Sequence, residues 1–250
     1  MNEGVSFFAV EFKTPFGIIR GKVQVSEGPM RLVDLVSTAL EFTDILVKRA
    51  IDKEEKEGRK IYCGPGCGVC CNQMVPLSPP EAIWISELVD HLEKSGWKEL
   101  SQKFDRIAEK LEQLGMVGEL LDPDFSDDVA LEIAKKYFQL SIPCPFLVDN
   151  SCRIYPYRPV ACREYNVTSP PEFCRDPYSN QVNKVPMPLP LSAPLARLTA
   201  KLTGTKPRLI PLVLTRKWYF DNKELVYRKW EGTELLRGFL KELGGVNEDN

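Results

Sequence analysis

Eight cysteines are the residues in this sequence with the clearest capacity for chemistry, and they fall into two groups. The first group, Cys63, Cys67, Cys70 and Cys71, lies in a glycine-rich segment with the spacing Cys-x3-Cys-x2-Cys-Cys. Glycine permits the backbone turns that bring successive sulfurs toward one point, and thiolates are ligands of zinc and of iron–sulfur clusters. Four cysteines at this spacing indicate metal binding rather than burial as small apolar side chains.

The second group is spread over a longer stretch of chain and contains Cys144, Cys152, Cys162 and Cys174. Eight thiolates could bind two zinc ions with four cysteines each, or could hold one or two iron–sulfur clusters. Ligands spaced this widely suit a polynuclear cluster of the 4Fe-4S type at least as well as one zinc ion, so we favour iron–sulfur over zinc. Whether the two groups share one centre stays open at this point.

Two positions in these groups need separate treatment. Neighbouring side chains point in different directions in both helices and strands, so Cys70 and Cys71 are not expected to bind the same ion. One of them could serve a different metal, or no metal. Cys174 lies farthest along the second group and is the weakest candidate ligand.

Arginines alternate with the cysteines of the second group, and we consider Arg153, Arg158 and Arg163 candidate cofactor-binding residues. A cluster with four thiolate ligands carries negative charge, which nearby guanidinium groups would offset. The alternative is that these arginines bind acidic residues or face water. The sequence offers no candidate catalytic residue.

The order of several motifs resembles the YkgJ-type cysteine cluster family, which is described as zinc- or iron-chelating. The motifs are Cys67-Gly68-Val69-Cys70-Cys71, Leu77-Ser78-Pro79-Pro80-Glu81, Cys144-Pro145-Phe146-Leu147, Cys152-Arg153-Ile154-Tyr155 and Cys162-Arg163-Glu164-Tyr165. The resemblance covers residues 63–165. The same motifs are similar to those of the flagellin lysine N-methylase, which implies a protein substrate and S-adenosylmethionine as methyl donor.

Three functions follow from these patterns. The first is a metal-binding protein with a cysteine-ligated iron–sulfur or zinc centre of unknown reaction. The second, from the resemblance alone, is a protein-lysine N-methyltransferase-like enzyme. The third is a zinc-stapled interaction module whose aromatic residues 218–230 dock a partner, although such a segment is more often core.

Composition excludes several other classes. Lys and Arg number 33 against 35 Asp and Glu, giving a net charge of -2, so we expect no nucleic-acid partner. No apolar run approaches the roughly 18–20 residues that span a bilayer, so we expect no membrane partner and a cytoplasmic protein. Disulfides are rare in that compartment, which favours metal ligation.

Local patterns predict an α+β fold, mainly helical, with an N-terminal β-hairpin and a loop-rich metal site. The hairpin is predicted at residues 5–11 and 18–25, around the turn Thr14-Pro15-Phe16-Gly17. Apolar periodicity predicts helices at 30–57, 79–94, 97–114 and 127–140, and one at 233–243 ended by Gly244-Gly245. Another helix is predicted to begin at Ser192, which can cap it. Ser78, Pro79 and Glu81 form the signature of a capping box.

We divide the chain into three predicted segments. Residues 1–60 form the hairpin and a long helix, and residues 61–176 form the cysteine-cluster metal-binding domain. Residues 177–250 form a proline-rich linker and an aromatic, helical segment that packs on the same core. Residues 141–176 have no apolar period, so their order requires another source, which a metal would supply.

Overall fold

The computed structural model describes residues 4–15, 17–122 and 127–244, and it confirms an α+β fold in which helices predominate. The strands in these ranges form four two-stranded antiparallel sheets. They pair β1 (Val5–Thr14) with β2 (Gly17–Ser26), β3 (Pro29–Arg31) with β8 (Lys229–Glu231), β4 (Pro76–Leu77) with β7 (Ile210–Pro211), and β5 (Leu147–Val148) with β6 (Ser151–Cys152).

The α-helices include four long elements that the apolar periodicity predicted, three of them with shifted ends. The described helices are α1 (Val36–Lys56), α2 (Pro79–Lys94), α3 (Leu100–Gln113), α4 (Met116–Leu121), α5 (Asp127–Gln139), α6 (Val160–Glu164), α7 (Ser192–Thr203), α8 (Thr215–Asp221), α9 (Lys223–Tyr227) and α10 (Gly232–Glu242). The predicted ends of α2 are confirmed. Short helices such as α4 and α9 were not predicted because a few residues do not establish a period.

The predicted N-terminal hairpin is confirmed, with Val5 opposite Ser26 and Thr14 opposite Gly17. Alternation along β2 buries Ile19, Val23 and Val25 on one face, as expected for a strand with one face on a core. Gly17 has a φ of 100°, a conformation that glycine adopts without strain. Phe16 of the predicted turn lies outside the described residues, as does Gly245 after α10.

The prediction that the first helix begins at Met30 is wrong. Met30 lies in β3 and pairs with Trp230, and a 3-10 turn over Leu32–Leu35 separates the strand from α1. The reason is long-range: the partner strand β8 is about two hundred residues away in sequence, so local periodicity contains no sign of it. The helix therefore begins six residues later, at Val36.

Two large apolar clusters hold the described elements together. The hairpin core joins the hairpin, α1, α7 and α10, and includes Val10, Val160 and Leu235, one from each predicted segment of the chain. The helical core joins α2, α3, α4 and α5 and includes Phe104, Leu111 and Tyr137, together with Phe146 and Ile154 of the cysteine region. The division into three segments itself stays a prediction.

The remaining core lies around the C-terminal aromatic residues. Trp218, Tyr219 and Val226 are buried against Ala82 and Ile83 of α2. Phe220 and Tyr227 of the same segment are exposed. Every helix in the described part of the chain is too short or too polar to span a bilayer.

Candidate metal centre

The first cysteine group lies in a loop that is pinned at both ends by backbone hydrogen bonds. Tyr62 N donates to Val167 O at 3.1 Å, and Cys144 N donates to Cys71 O at 2.8 Å. A 3-10 turn over Val69–Asn72 contains Cys70 and Cys71. The loop passes so close to β5 and β6 that a Cβ on Gly68 would lie 2.7 Å from Asn150 O, so only glycine fits there.

Three cysteines of the second group lie on short elements, and Cys144 lies in the loop before β5. Cys152 is in β6 and faces Leu147 across the small hairpin, and Cys162 is in the first turns of α6. Cys174 is buried in a 3-10 turn over Pro171–Arg175, which packs against the turn containing Cys70. The fold thus brings cysteines more than a hundred residues apart in sequence to one region.

Six of the eight cysteines line one cavity of about 620 Å³, which we call the larger thiol cavity. They are Cys67, Cys70, Cys71, Cys144, Cys152 and Cys162. Apolar side chains, including Phe146, Ile154 and Leu212, form much of the remaining wall. A soft, sulfur-rich site with apolar walls has the donor chemistry that zinc and iron–sulfur clusters require.

A second, much smaller cavity of about 20 Å³ adjoins the first, and we call it the smaller thiol cavity. Its lining includes Cys63, Cys67, Cys70 and Cys174, together with Tyr62 and Tyr165. Cys67 and Cys70 therefore line both cavities, while the other six cysteines each line one. A cavity of this size has room for a single ion or water.

Burial raises the pKa of Cys63, Cys144, Cys152 and Cys162 above the ordinary thiol value, which favours the neutral thiol at these four positions in the metal-free protein. Burial also raises the pKa of Cys174, to about 11. A hydrogen bond with Cys71, together with burial, raises the pKa of Cys70. A bound metal would displace these protons, since thiolate is the ligand form.

Arg158 is the predicted cofactor-binding arginine that lines the larger thiol cavity. Its guanidinium stacks over the Tyr155 ring, with Cζ 3.8 Å from the centroid, and its Nε is buried without a hydrogen-bond partner. Burial raises the pKa of Cys152 and Cys162, and the positive charge of Arg158 opposes this rise because it favours the thiolate. A partly buried cation whose Nε is buried without a partner, beside six thiols, fits a negatively charged thiolate centre.

The other two candidate arginines have partners elsewhere. Arg153 stacks on Trp97 with Cζ 4.0 Å from the ring centroid. Arg163 binds Asp44 of α1 at 2.8 Å and donates to the backbone oxygens of Arg158 and Pro156. Neither lines the larger thiol cavity as the described residues define it, so their assignment to a cofactor stays a prediction.

Glu81 forms the predicted capping box of α2, and it also accepts two tertiary hydrogen bonds that the sequence did not indicate. Its carboxylate accepts hydrogen bonds from Ser78 N and Oγ at 2.9 and 2.7 Å, from Val160 N at 2.9 Å, and from Ser192 Oγ at 2.8 Å. Burial raises the pKa of Glu81, and these hydrogen bonds oppose that rise. The carboxylate therefore fixes the start of α6, two residues before Cys162.

The predicted start of a helix at Ser192 is confirmed, since α7 begins there, but the predicted cap is not formed. The N-cap residue is Leu191, and the Ser192 hydroxyl donates a hydrogen bond to the Glu81 carboxylate. The hydroxyl that a local pattern assigned to a cap thus has a tertiary acceptor as its partner. His91 is exposed in the last turn of α2.

Sequence reasoning missed Glu164 and Lys184, which also line the larger thiol cavity. Burial raises the pKa of Glu164 to about 7, and its carboxylate accepts a hydrogen bond from Leu191 N at 3.0 Å. Lys184 reaches the cavity because it pairs with Val167 in an isolated bridge. No local signal marked Lys184, since the proline-rich segment around it has no period.

The donor set fits zinc or iron in type, although the thiols are not yet gathered around one point. Among residues 4–15, 17–122 and 127–244, no three Cys, His, Asp or Glu side chains are placed to hold one metal ion together. The cysteines instead line the walls of the two thiol cavities. Metal binding would therefore draw the loops that contain them inward.

Comparison with known proteins gives one match, and it covers this region. Residues 62–184 match the CxxCxxCC family, described as "Putative zinc- or iron-chelating domain". No curated protein and no solved structure matched the chain. The matched residues contain all eight cysteines, the lining of the smaller thiol cavity and most of the lining of the larger one, so the comparison supports metal binding by this segment.

Proposed function

We propose, from the premise that residues 62–184 form a zinc- or iron-chelating domain, that the chain binds two metal centres through its eight cysteines and that the larger is an iron–sulfur cluster. The observation that supports this most directly is the larger thiol cavity, with six thiols on about 620 Å³. One tetrahedral zinc ion uses four sulfurs at about 2.3 Å and leaves no such space. A polynuclear cluster would occupy this cavity and use the thiols that line it as ligands.

The cysteines divide naturally into two sets of four. The cluster would be held by the four cysteines that line only the larger thiol cavity, Cys71, Cys144, Cys152 and Cys162. The backbone oxygen of Cys71 also accepts a hydrogen bond from Cys144 N. Cys63, Cys67, Cys70 and Cys174 surround the smaller thiol cavity and would hold a single ion. In this division, the adjacent residues Cys70 and Cys71 would bind different centres.

The surrounding residues would tune the larger centre. Arg158 would offset the negative charge of the thiolates, and the apolar walls at Phe146, Ile154 and Leu212 would exclude water. When bound, an iron–sulfur cluster supplies one-electron transfer. The link to lysine methylation and S-adenosylmethionine stays a prediction.

Metal and acid-labile sulfide analysis of protein purified without oxygen tests the proposal, with Cys152→Ser and Cys174→Ser as a matched pair. We expect Cys152→Ser to lose iron, sulfide and visible absorption but to keep the metal of the smaller site. Cys174→Ser should do the reverse. Loss of all metal in both variants would contradict two separate centres.

Zinc at both sites is the second candidate, supported by the size of the smaller thiol cavity, which suits one ion. The same measurement decides between the two. Colourless protein with two zinc ions and no sulfide would replace the cluster with zinc. Protein that binds neither metal would overturn the proposed function.

A further inference from the structure

A third cavity, of about 350 Å³, lies between the connection from α7 to β7 and the turn from α8 to α9, and we call it the basic cleft. As the structure describes these cavities, the basic cleft shares no lining residue with either thiol cavity. We propose that the basic cleft binds a phosphorylated small molecule. This proposal is independent of the metal chemistry.

Charge is the first argument. The chain as a whole has a net charge of -2, yet four cations line this one cleft against two carboxylates. The cations are Lys206, Arg208, Lys223 and Arg228, and the carboxylates are Asp221 and Glu224. Lys217, outside the cleft, lies 3.5 Å from Asp221 and offsets one of these negative charges. The cleft is therefore a local attractor for anions.

The second argument is that three of these cations have no carboxylate partner in the described chain. Arg208 is half-buried and makes no side-chain hydrogen bond, ion pair or ring contact among the described residues. Lys223 lies over the Phe220 ring, with Nζ 4.6 Å from the centroid, and Arg228 lies over the Trp230 ring at 5.1 Å. Phosphate oxygens would supply the acceptors that a guanidinium binds in pairs.

The third argument is the apolar part of the lining, which suits the organic portion of such a ligand. Ala196, Ala200, Leu225 and the nearly buried Trp218 contribute to it. The volume falls within the roughly 300–1,000 Å³ of small-molecule sites. Because these four cations line one cleft and the chain has a net charge of -2, a small molecule fits this site better than an extended nucleic acid.

Calorimetric titration of the full chain with phenyl phosphate and with pyrophosphate, in 150 mM NaCl, tests this proposal. We expect saturable binding of one molecule per chain, with equal affinity in metal-loaded and metal-free protein. Arg208→Ala should weaken binding about tenfold or more, because it removes charged hydrogen bonds. The matched control is Arg106→Ala, which removes an exposed arginine of α3 that does not line the cleft.

The alternatives give different results. Equal weakening in Arg208→Ala and Arg106→Ala, or no saturable binding of either phosphate by the wild type, would overturn the proposal. Binding that requires metal would place the ligand in the thiol cavities. Binding of a single-stranded oligonucleotide but of neither small phosphate would also overturn it. If Arg208→Ala fails to fold, the exposed Lys223→Gln serves as the test, with the same expected loss.

Discussion

The hairpin core and the cysteine region are ordered by different means. The hairpin core uses two ten-residue strands and the long helices α1, α7 and α10, which bury side chains such as Leu35 and Phe239 completely or nearly so. In residues 141–176 the strands β5 and β6 have two residues each and α6 has five. Apolar burial accounts for order in the first region, whereas the second has only a few buried apolar side chains, such as Phe146, Ile154 and Val160, and a few hydrogen bonds.

This difference indicates which region of the fold a bound metal would stabilise. Short elements bury too little apolar surface to offset the conformational entropy of so long a loop. Two hydrogen bonds link the cysteine region to neighbouring parts of the fold. Cys144 N donates to Cys71 O, and Val160 N donates to the Glu81 carboxylate. A metal would add the cross-links that the loop itself lacks.

Metal removal is expected to have the largest effect, and only on the cysteine region. We expect amides of residues 141–176 to exchange with solvent about 100-fold faster or more in metal-free protein, while amides of α3 and α10 keep their protection. The reason is that structural metal sites contribute on the order of 10 kcal/mol to the order of small domains. Hydrogen exchange of metal-loaded and chelated protein measures this.

Phe239→Ala tests the hairpin core, whose stability is expected not to depend on metal. Phe239 is completely buried in the hairpin core, so its removal should lower the free energy of unfolding by about 3–5 kcal/mol without changing the metal content. Equal exchange of residues 141–176 with and without metal would show that the two regions do not differ as described.

Glu81→Ala is expected to have the next largest effect, because Glu81 links the two regions. The variant leaves Val160 N and Ser192 Oγ buried without an acceptor, which costs roughly 2–4 kcal/mol in unfolding free energy. It should also weaken metal binding, since Val160 N fixes the helix that contains Cys162. Denaturant unfolding and metal titration measure the two effects.

The matched control is Glu87→Ala on the same helix. Glu87 pairs with Arg31 at a partly exposed position, so its loss should cost about 1 kcal/mol or less and leave metal affinity unchanged. Similar metal affinity in the two variants would mean that Glu81 does not couple the regions.

The smallest expected effect is a dependence on pH that belongs to the hairpin core. Burial opposes ionisation of Glu242, but hydrogen bonds from Lys201 and Arg197 outweigh it and hold the pKa of Glu242 below its ordinary value. A carboxyl whose pKa is lowered on folding stabilises the protein above its unfolded pKa near 4.5, and this contribution is lost as pH falls through the folded pKa.

We expect Glu242→Gln to remove that part of the pH dependence, on the order of 1 kcal/mol between pH 6 and pH 3. Urea unfolding across this range measures it, and Glu109→Gln on the exposed surface of α3 is the control. An identical pH profile in wild type and Glu242→Gln would rule out this contribution.

Local patterns were a reliable guide wherever one element carried its own signal. The period of apolar residues located α2, α3, α5 and α10, and the Ser78 to Glu81 signature located the start of α2. The same reasoning failed at Met30 and Ser192, where the deciding partners, Trp230 and Glu81, are distant in sequence. Strand pairing and tertiary hydrogen bonds override propensity in such places.

The sequence by itself determined which groups are available for chemistry: eight thiols in two groups, the glycines that let the first group turn, and the arginines Arg153, Arg158 and Arg163 among the second group. Only the tertiary structure decided how the thiols divide between a larger and a smaller cavity, and that Arg158 lines one while Arg163 binds α1. The physical reason is that residue type sets which ligands and charges are available. Their distances depend on contacts between segments far apart in the chain, which no local spacing encodes.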